Sequence, residues 1–277
     1  MEPVVTTRGL TRDYGGVGRF DTGLVVPAGC VYGLVGMNAG RTTLLSLLSG
    51  LRRPDRGSIT ITVPRTRLAV CPDVPEFDGW LTAREVVELA GVLDRRAGSF
   101  SRGMVQRLGL ACALVADPDL LIMDEPTSAL DPAGRADILG LVAAMRGTRT
   151  VIFSSHILDD VQRIADQVGI LRDGRLLYQG GTQQLIDAYL TPSWLARIGG
   201  DTAPVLALLT AQPWVVRAET AGAGTIRVDA VSIEAGERGI PQVIAACGAR
   251  QVSCEPVAAD LESAFLARTG AVAEAAC

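Results

Sequence analysis

The segment Gly33–Leu45, with the sequence GLVGMNAGRTTLL, places a glycine-rich turn between an apolar run and a helical pattern. The run CVYGLVG that leads into it predicts a buried strand, and TTLLSLLS after it predicts a helix over 42–49 that ends before Gly50. A helix N-terminus presents unpaired N–H groups, so a strand, a glycine-rich turn and a helix in this order are suited to holding a phosphate. The segment therefore predicts an anion site.

The turn departs from the usual phosphate-binding pattern in two places. That pattern is a Gly, four free positions and then Gly-Lys-Ser/Thr. Here Gly36 and Gly40 enclose only three residues, and Arg41 stands where the lysine belongs. All 26 basic residues of the chain are arginine, which weakens any claim that this one was specially selected. By itself the turn leaves a nucleotide site, an altered site and coincidence all open.

Composition indicates a globular chain with no strongly basic surface. The 277 residues are 48% hydrophobic and 20% charged, enough for one large or two ordinary domains. The net charge of −4 and the pI near 5.2 give no reason to expect a nucleic-acid partner. The six cysteines form no CxxC pair and lie mostly in apolar runs, which predicts buried, reduced thiols in an intracellular protein.

The sequence shows neither a membrane-spanning run nor a signal peptide. No stretch of about 18 apolar residues occurs, and the N-terminal segment lacks an apolar core. We therefore expect a cytoplasmic protein that reaches a membrane only through a partner.

Alternating strand and helix patterns predict an α/β domain over residues 1–190. Predicted strands are 58–62, 67–71, 120–124 and 150–155, and further predicted helices are 102–116 and 132–145. Asp173-Gly174 between two apolar runs predicts a hairpin. After Pro192 the sequence becomes rich in alanine, and residues 191–277 are predicted to form a small α+β domain without a catalytic motif.

Polar residues follow two of the predicted strands. Asp124 and Glu125 end the run LLIMDE, and two adjacent carboxylates at a strand end can divide their work, one binding metal and one polarising water. His156, the single histidine, follows the next strand and could reach the same water and a phosphate. A solvated acidic strand end is the alternative for one carboxylate, but it is less convincing for the pair downstream of a phosphate-loop candidate.

Together these motifs resemble those of the nucleotide-binding subunit of an ABC transporter. GMNAGRTT resembles the Walker A loop, LLIMDE Walker B, SALD the D-loop and SSH the switch histidine. FSRGMVQRLGLACAL resembles the signature segment and is the most specific match. The resemblance implies a P-loop NTPase fold, ATP and Mg²⁺ as cofactors, and an ATPase. It also implies a dimer with a second nucleotide-binding subunit, identical or different, and a separate membrane permease.

The resemblance assigns roles residue by residue. Glu125 and His156 are expected to be catalytic, and Thr42, Asp73 and Asp124 to contact Mg²⁺. Ser101 and Gly103 are expected to touch the γ-phosphate of the nucleotide held by the opposite subunit. The residues expected to contact nucleotide are Tyr14, Gly36, Asn38, Ala39, Gly40, Arg41, Thr42, Thr43, Ser101, Arg102, Gly103, Met104 and Asp131. The C-terminal region resembles that of ATPases from two-component drug-efflux exporters, which predicts a location on the cytoplasmic face of the membrane.

Four departures from the family pattern bear on turnover. The Walker A loop is one residue short, and Arg41 binds phosphate in a different geometry from lysine. Asp73 occupies the position of the family's usual glutamine. The helical arm, about residues 74–116, is reduced. These features keep a second hypothesis open, a nucleotide-binding but weakly hydrolysing subunit paired with an intact partner. A role in DNA repair or translation is disfavoured by the acidic balance.

Overall fold

The computed structural model describes residues 2–13, 23–37, 40–77, 101–188, 191–257 and 260–269. The chain folds as two compact units, Met1–Leu185 with Phe265–Cys277, and Ile186–Ala264. The predictions for Tyr14, Asn38 and Ala39 and for most of the helical arm lie outside the described residues. The predicted domain boundary between residues 190 and 191 lies next to residues 189–190, which are also outside the described residues.

From the N-terminus to residue 188 the chain alternates between strands and helices. The elements are β1 (Pro3–Thr11), β2 (Val25–Pro27), β3 (Val31–Met37), α1 (Gly40–Leu48), β4 (Arg56–Ile61), β5 (Leu68–Cys71), α2 (Arg102–Val115), β6 (Leu120–Met123), α3 (Pro132–Ala144), β7 (Thr150–Ser154), α4 (Leu158–Ile164), β8 (Gln167–Arg172), β9 (Arg175–Gly181) and α5 (Thr182–Ala188). This confirms the predicted α/β class for the first unit.

A six-stranded sheet forms the centre of the first unit. Its order is β5-β6-β7-β3-β8-β9, with the first five strands parallel and β9 antiparallel to β8. Every residue of β6 and β7 is buried, because both faces of a parallel sheet are covered. The carboxyl ends of β3, β6 and β7 therefore meet at one edge, where the predicted site residues begin. A smaller antiparallel sheet has the order β2-β1-β4.

Helix α1 begins two residues earlier than the sequence pattern predicts. Its buried leucines start at Leu44, and the first turn, Gly40–Thr43, has no buried side chain. Apolar periodicity cannot detect such a turn, which explains the shift. The consequence is that Arg41 and Thr42 lie in the first turn, where the N–H groups have no helical partner.

Local chemistry explains the other boundaries near the site. Ser101 accepts the N–H of Met104 at 3.3 Å and caps α2, and Asp131 accepts the N–H of Gly134 at 3.1 Å and caps α3. The β8-β9 hairpin turns at Asp173-Gly174, whose φ angles are +49° and +75°. The predicted hairpin is confirmed.

The second unit is built on a four-stranded antiparallel sheet of order β11-β12-β10-β13. Its elements follow a β-α-β-β-α-β succession, and Trp194, Ile226 and Ile240 lie in its core. The bounds are β10 (Ser193–Gly199), α6 (Ala203–Thr210), β11 (Val215–Thr220), β12 (Thr225–Ala230), α7 (Ile233–Ala246) and β13 (Arg250–Pro256), followed by α8 (Leu261–Thr269). The predicted α+β composition of the C-terminal region is confirmed.

The described cysteines are free thiols. Cys30 and Cys71 are buried, and burial raises the pKa of each thiol to about 12. Cys112, Cys247 and Cys254 are only partly buried, so the prediction of burial is wrong for these three. Within the described part of the chain, no helix combines the length and the apolar character needed to cross a bilayer.

Candidate functional site

The carboxylate pair lies directly after β6, next to β5 and β7. The N–H of Asp124 donates to the carbonyl of Cys71 at 2.9 Å, which extends the pairing of β6 with β5 by one residue. The backbone turns at Glu125, whose φ is +47°. A side chain other than glycine rarely adopts a positive φ, and such strain concentrates at functional sites. The turn ends the strand and begins the loop that carries the carboxylate of Glu125.

A serine of the neighbouring strand links the two acidic residues. Ser154 ends β7, is fully buried, and accepts the N–H of Glu125 at 2.8 Å. Its hydroxyl donates to Asp124 Oδ1 at 2.6 Å. Ser154 is the first residue of the SSH motif, but the motif predicted a role only for its histidine. The signal available was a polar residue at the end of an otherwise apolar strand, two positions before the histidine.

His156 contacts the carboxylate of Glu125 with its ring and its backbone. Nδ1 lies 2.7 Å from Glu125 Oε2, and the backbone N–H donates to the same oxygen at 3.3 Å. A carboxylate only accepts, so the hydrogen bond places a proton on Nδ1. The side chain of His156 is 58% exposed, which leaves the rest of the ring open to a ligand.

Arg41 approaches Glu125 from α1 and forms an ion pair with it. Arg41 Nη2 lies 2.9 Å from Glu125 Oε1, and the two side chains are only 15% and 13% exposed. The angle of this approach does not meet hydrogen-bond geometry. Among the described residues, neither Glu125 Oε1 nor Arg41 Nη1 has a hydrogen-bond partner although both atoms are buried. A buried guanidinium N–H without an acceptor is unfavourable, so it favours an anionic ligand at this position.

Protein ligands for Mg²⁺ are few but of the right type. Asp124 offers a carboxylate, and Thr42 offers an exposed hydroxyl in the first turn of α1. No cluster of three His, Cys, Asp or Glu side chains that could hold a metal occurs in the described ranges. Mg²⁺ is commonly held by one or two carboxylates together with substrate phosphates and water, so the donor set fits that ion. Asp73 Oδ1 accepts the hydroxyl of Ser128 at 2.9 Å.

Five of the predicted residues line a groove that does not include Arg41, Glu125 or His156. Ser101, Arg102, Gly103, Met104 and Asp131 lie together along it, between the N-termini of α2 and α3. A Cβ atom at Gly103 would lie 3.2 Å from the carbonyl of Ala129, so this position has little room for a side chain. Gly36, Arg41 and His156 line a separate groove. These eight predicted residues thus fall into two groups.

Gly36 has a structural role that the motif does not reveal. It lies within β3, paired with Leu171 of β8. A Cβ atom at this position would collide with the carbonyl oxygen of Leu171. The close approach of two strand backbones explains the glycine without reference to a phosphate.

A buried network that the sequence analysis missed holds α4 behind His156. Asp160 is 1% exposed, accepts the hydroxyl of Thr127 at 2.9 Å and pairs with Arg135 Nε at 2.6 Å. The network connects the loop after Glu125, helix α3 and helix α4. It therefore supports the segment that presents His156.

Comparisons with known proteins identify the family. The sequence profile of the ABC transporter family matches residues 21–128. The chain is similar to the bacitracin transport ATP-binding protein BcrA of Bacillus licheniformis, with 35% identity over 212 residues that cover 64% of this chain and 69% of BcrA. It is also similar to the Nod factor export ATP-binding protein I of Mesorhizobium japonicum, with 33% identity over 252 residues covering 77% of this chain and 73% of that protein.

Two further comparisons bear on length and fold. The uncharacterized ATP-binding protein YxlF of Bacillus subtilis is 37% identical over 182 residues, which cover 55% of this chain and 62% of YxlF, so the chain spans less than two thirds of that relative. A solved ATP-binding subunit of an ABC transporter superimposes with a TM-score of 0.61 at 26% identity, over 67% of this chain and 93% of that one.

Proposed function

The chain belongs to the family of ABC transporter ATP-binding proteins, and from this premise we propose that it hydrolyses Mg-ATP at the carboxyl edge of its six-stranded sheet to drive export through a separate permease. The observation that carries the proposal is the position of Glu125. Its carboxylate lies between Arg41 and His156, at the edge where α1 begins.

The site residues divide the work of binding and hydrolysis. The first turn of α1 and the guanidinium of Arg41 bind the phosphates, and the helix N-terminus favours their negative charge. Asp124 and Thr42 would hold Mg²⁺, which when bound would neutralise charge on the phosphates. Glu125 orients and polarises the attacking water. His156, fixed by Glu125 through Nδ1, presents its remaining ring edge to the γ-phosphate.

The separation of the predicted residues into two grooves supports a paired arrangement. Arg41, Glu125 and His156 serve one nucleotide, whereas Ser101 and Gly103 serve the nucleotide of a second nucleotide-binding subunit. Asp131, whose carboxylate caps α3, lies beside them. Two nucleotides between two subunits satisfy both groups at once. The second subunit is either another copy of this chain or a relative.

The proposed direction of transport follows a relative named for Nod factor export, and a second relative is named for bacitracin transport. We place the chain at the cytoplasmic face of the membrane, beside the permease. That membrane subunit would determine which substrate is exported.

A weakly hydrolysing subunit is the second candidate function, and the Arg41–Glu125 ion pair favours it. A carboxylate oxygen that pairs with a guanidinium 2.9 Å away contacts the protein in place of the attacking water. Turnover therefore requires the phosphates to draw Arg41 away from Glu125. If the pair persists with ATP bound, the chain holds nucleotide and leaves hydrolysis to its partner.

The test is a pair of measurements on the purified chain. Titration with a fluorescent ATP analogue reports binding, and steady-state release of inorganic phosphate reports turnover. Saturable binding with turnover well above that of Glu125→Gln supports the ATPase. Binding with turnover equal to that variant supports the weakly hydrolysing subunit, and an absence of binding overturns both.

A further inference from the structure

The hydroxyl of Ser154 connects two side chains that the proposed function assigns to different tasks. The N–H of Glu125 can only donate and the carboxylate of Asp124 can only accept, so the hydroxyl must accept from the first and donate to the second. Both bonds are short, and Ser154 has no exposed surface. The hydroxyl therefore has a single orientation.

The backbone of Glu125 depends on this contact. Its positive φ of +47° is a strained conformation that persists only where surrounding contacts enforce it. Glu125 lies just beyond the end of β6. Its N–H donates to the side chain of Ser154 on β7, whereas within the sheet such an N–H donates to a backbone carbonyl. Removal of the hydroxyl leaves this N–H without that acceptor.

We infer that Ser154 is a positioning residue that fixes the carboxylates of Asp124 and Glu125 relative to each other. The inference rests on the proposed ATPase. It acts through the geometry of Glu125, so removal of the hydroxyl lowers kcat more than it weakens nucleotide binding. Ser154 touches neither nucleotide nor water in this role.

Thr150 provides a matched control at the opposite end of the same strand. It is 2% exposed, and its hydroxyl accepts the N–H of Gly29 at 3.0 Å. Four residues of strand, about 13 Å, separate it from Ser154. Ser154→Ala and Thr150→Val thus each remove one buried hydroxyl from β7 and one acceptor from a backbone N–H.

The first readout is steady-state kinetics on the full chain. We expect Ser154→Ala to lower kcat at least tenfold with the KM for ATP within threefold of wild type, and Thr150→Val to keep kcat within twofold. A kcat for Ser154→Ala within twofold of an active wild type overturns the inference. So does an equal loss in the two variants, since it would reduce Ser154 to a packing residue.

The second readout needs no turnover. Hydrogen exchange in peptides covering residues 123–126 should be faster in Ser154→Ala and unchanged in Thr150→Val. Unchanged exchange in Ser154→Ala overturns the inference whatever the kinetics show. An inactive wild type contradicts the proposed ATPase, and exchange then still decides whether Ser154 holds Glu125. Ser154→Cys, which keeps a similar volume, takes the same tests if the alanine variant does not fold.

Discussion

The carboxyl ends of β6 and β3 lie at the same edge of the sheet, but the functional side chains that follow them differ in how many contacts they make with the protein. After β6, Glu125 is held at its backbone by Ser154 and at its carboxylate by His156. After β3, the guanidinium of Arg41 has one ion pair, and its buried Nη1 lacks a hydrogen-bond partner among the described residues. The groups proposed for hydrolysis are thus held by contacts within the protein, whereas the proposed phosphate-binding group retains a donor with no partner among the described residues.

Glu125→Gln removes the group that the β6 end is built to hold. Since the amide cannot accept a proton from water, we expect kcat to fall by about 10³-fold. Binding of ATP should be retained, since the amide keeps the size of the side chain and removes a negative charge near the phosphates. Phosphate release and analogue titration measure the two effects. Turnover equal to wild type would show that another residue polarises the water.

Arg41→Ala tests the β3 end. Loss of a charge-assisted contact of about 1.5–3 kcal/mol should weaken ATP binding by roughly 10- to 100-fold. The variant also leaves Glu125 without its cationic partner. Arg102→Ala, in the other groove, is the comparison, since the proposal places Arg102 beside the partner subunit's nucleotide and not this one. Equal loss of affinity in both variants, measured on the monomer, would contradict the division into two grooves.

His156→Ala removes the contact between the imidazole ring and Glu125 Oε2. We expect kcat to fall by about 10- to 100-fold, less than for Glu125→Gln, because the water-polarising carboxylate remains. Affinity for ATP should change by less than threefold. A larger effect of His156→Ala than of Glu125→Gln would reverse the proposed roles.

Gly36→Ala affects the β3 end through packing. The added Cβ atom meets the carbonyl of Leu171, so the free energy of unfolding should fall by about 1–3 kcal/mol in a denaturant titration. Gly140→Ala on α3 meets nothing within 4 Å and should stabilise the chain by about 0.5–1 kcal/mol. Loss of ATP affinity by Gly36→Ala at unchanged stability would restore the motif explanation of this glycine.

Sequence patterns predicted the elements of this edge better than the contacts across it. Strand and helix order and the polar residues after β6 and β7 follow from local chemistry, which acts over a few residues. The Arg41–Glu125 pair joins residues 84 positions apart and depends on the approach of α1 to β6. A sequence pattern that spans a few residues cannot predict a contact between residues so far apart in the chain.

Two other features of the site could not be predicted from the sequence. The sequence predicts Ser154 as part of a buried strand, and only the pairing of that strand with β6 places its hydroxyl beside the carboxylate of Asp124 and the backbone N–H of Glu125. Gly36 matched the phosphate-loop motif, so the sequence contained no separate indication that the backbone of β8 leaves no room for a side chain there. In both cases the cause lies in a neighbouring strand, which the sequence of one strand does not encode.

The proposed ATPase is tested most directly by a structure of the chain with a non-hydrolysable ATP analogue and Mg²⁺. We expect phosphate oxygens within about 3.2 Å of the Arg41 guanidinium and a distance beyond about 4 Å between Arg41 Nη2 and Glu125 Oε1. An analogue bound elsewhere, or bound with the Arg41–Glu125 pair still intact and no phosphate contact to Arg41, would contradict it.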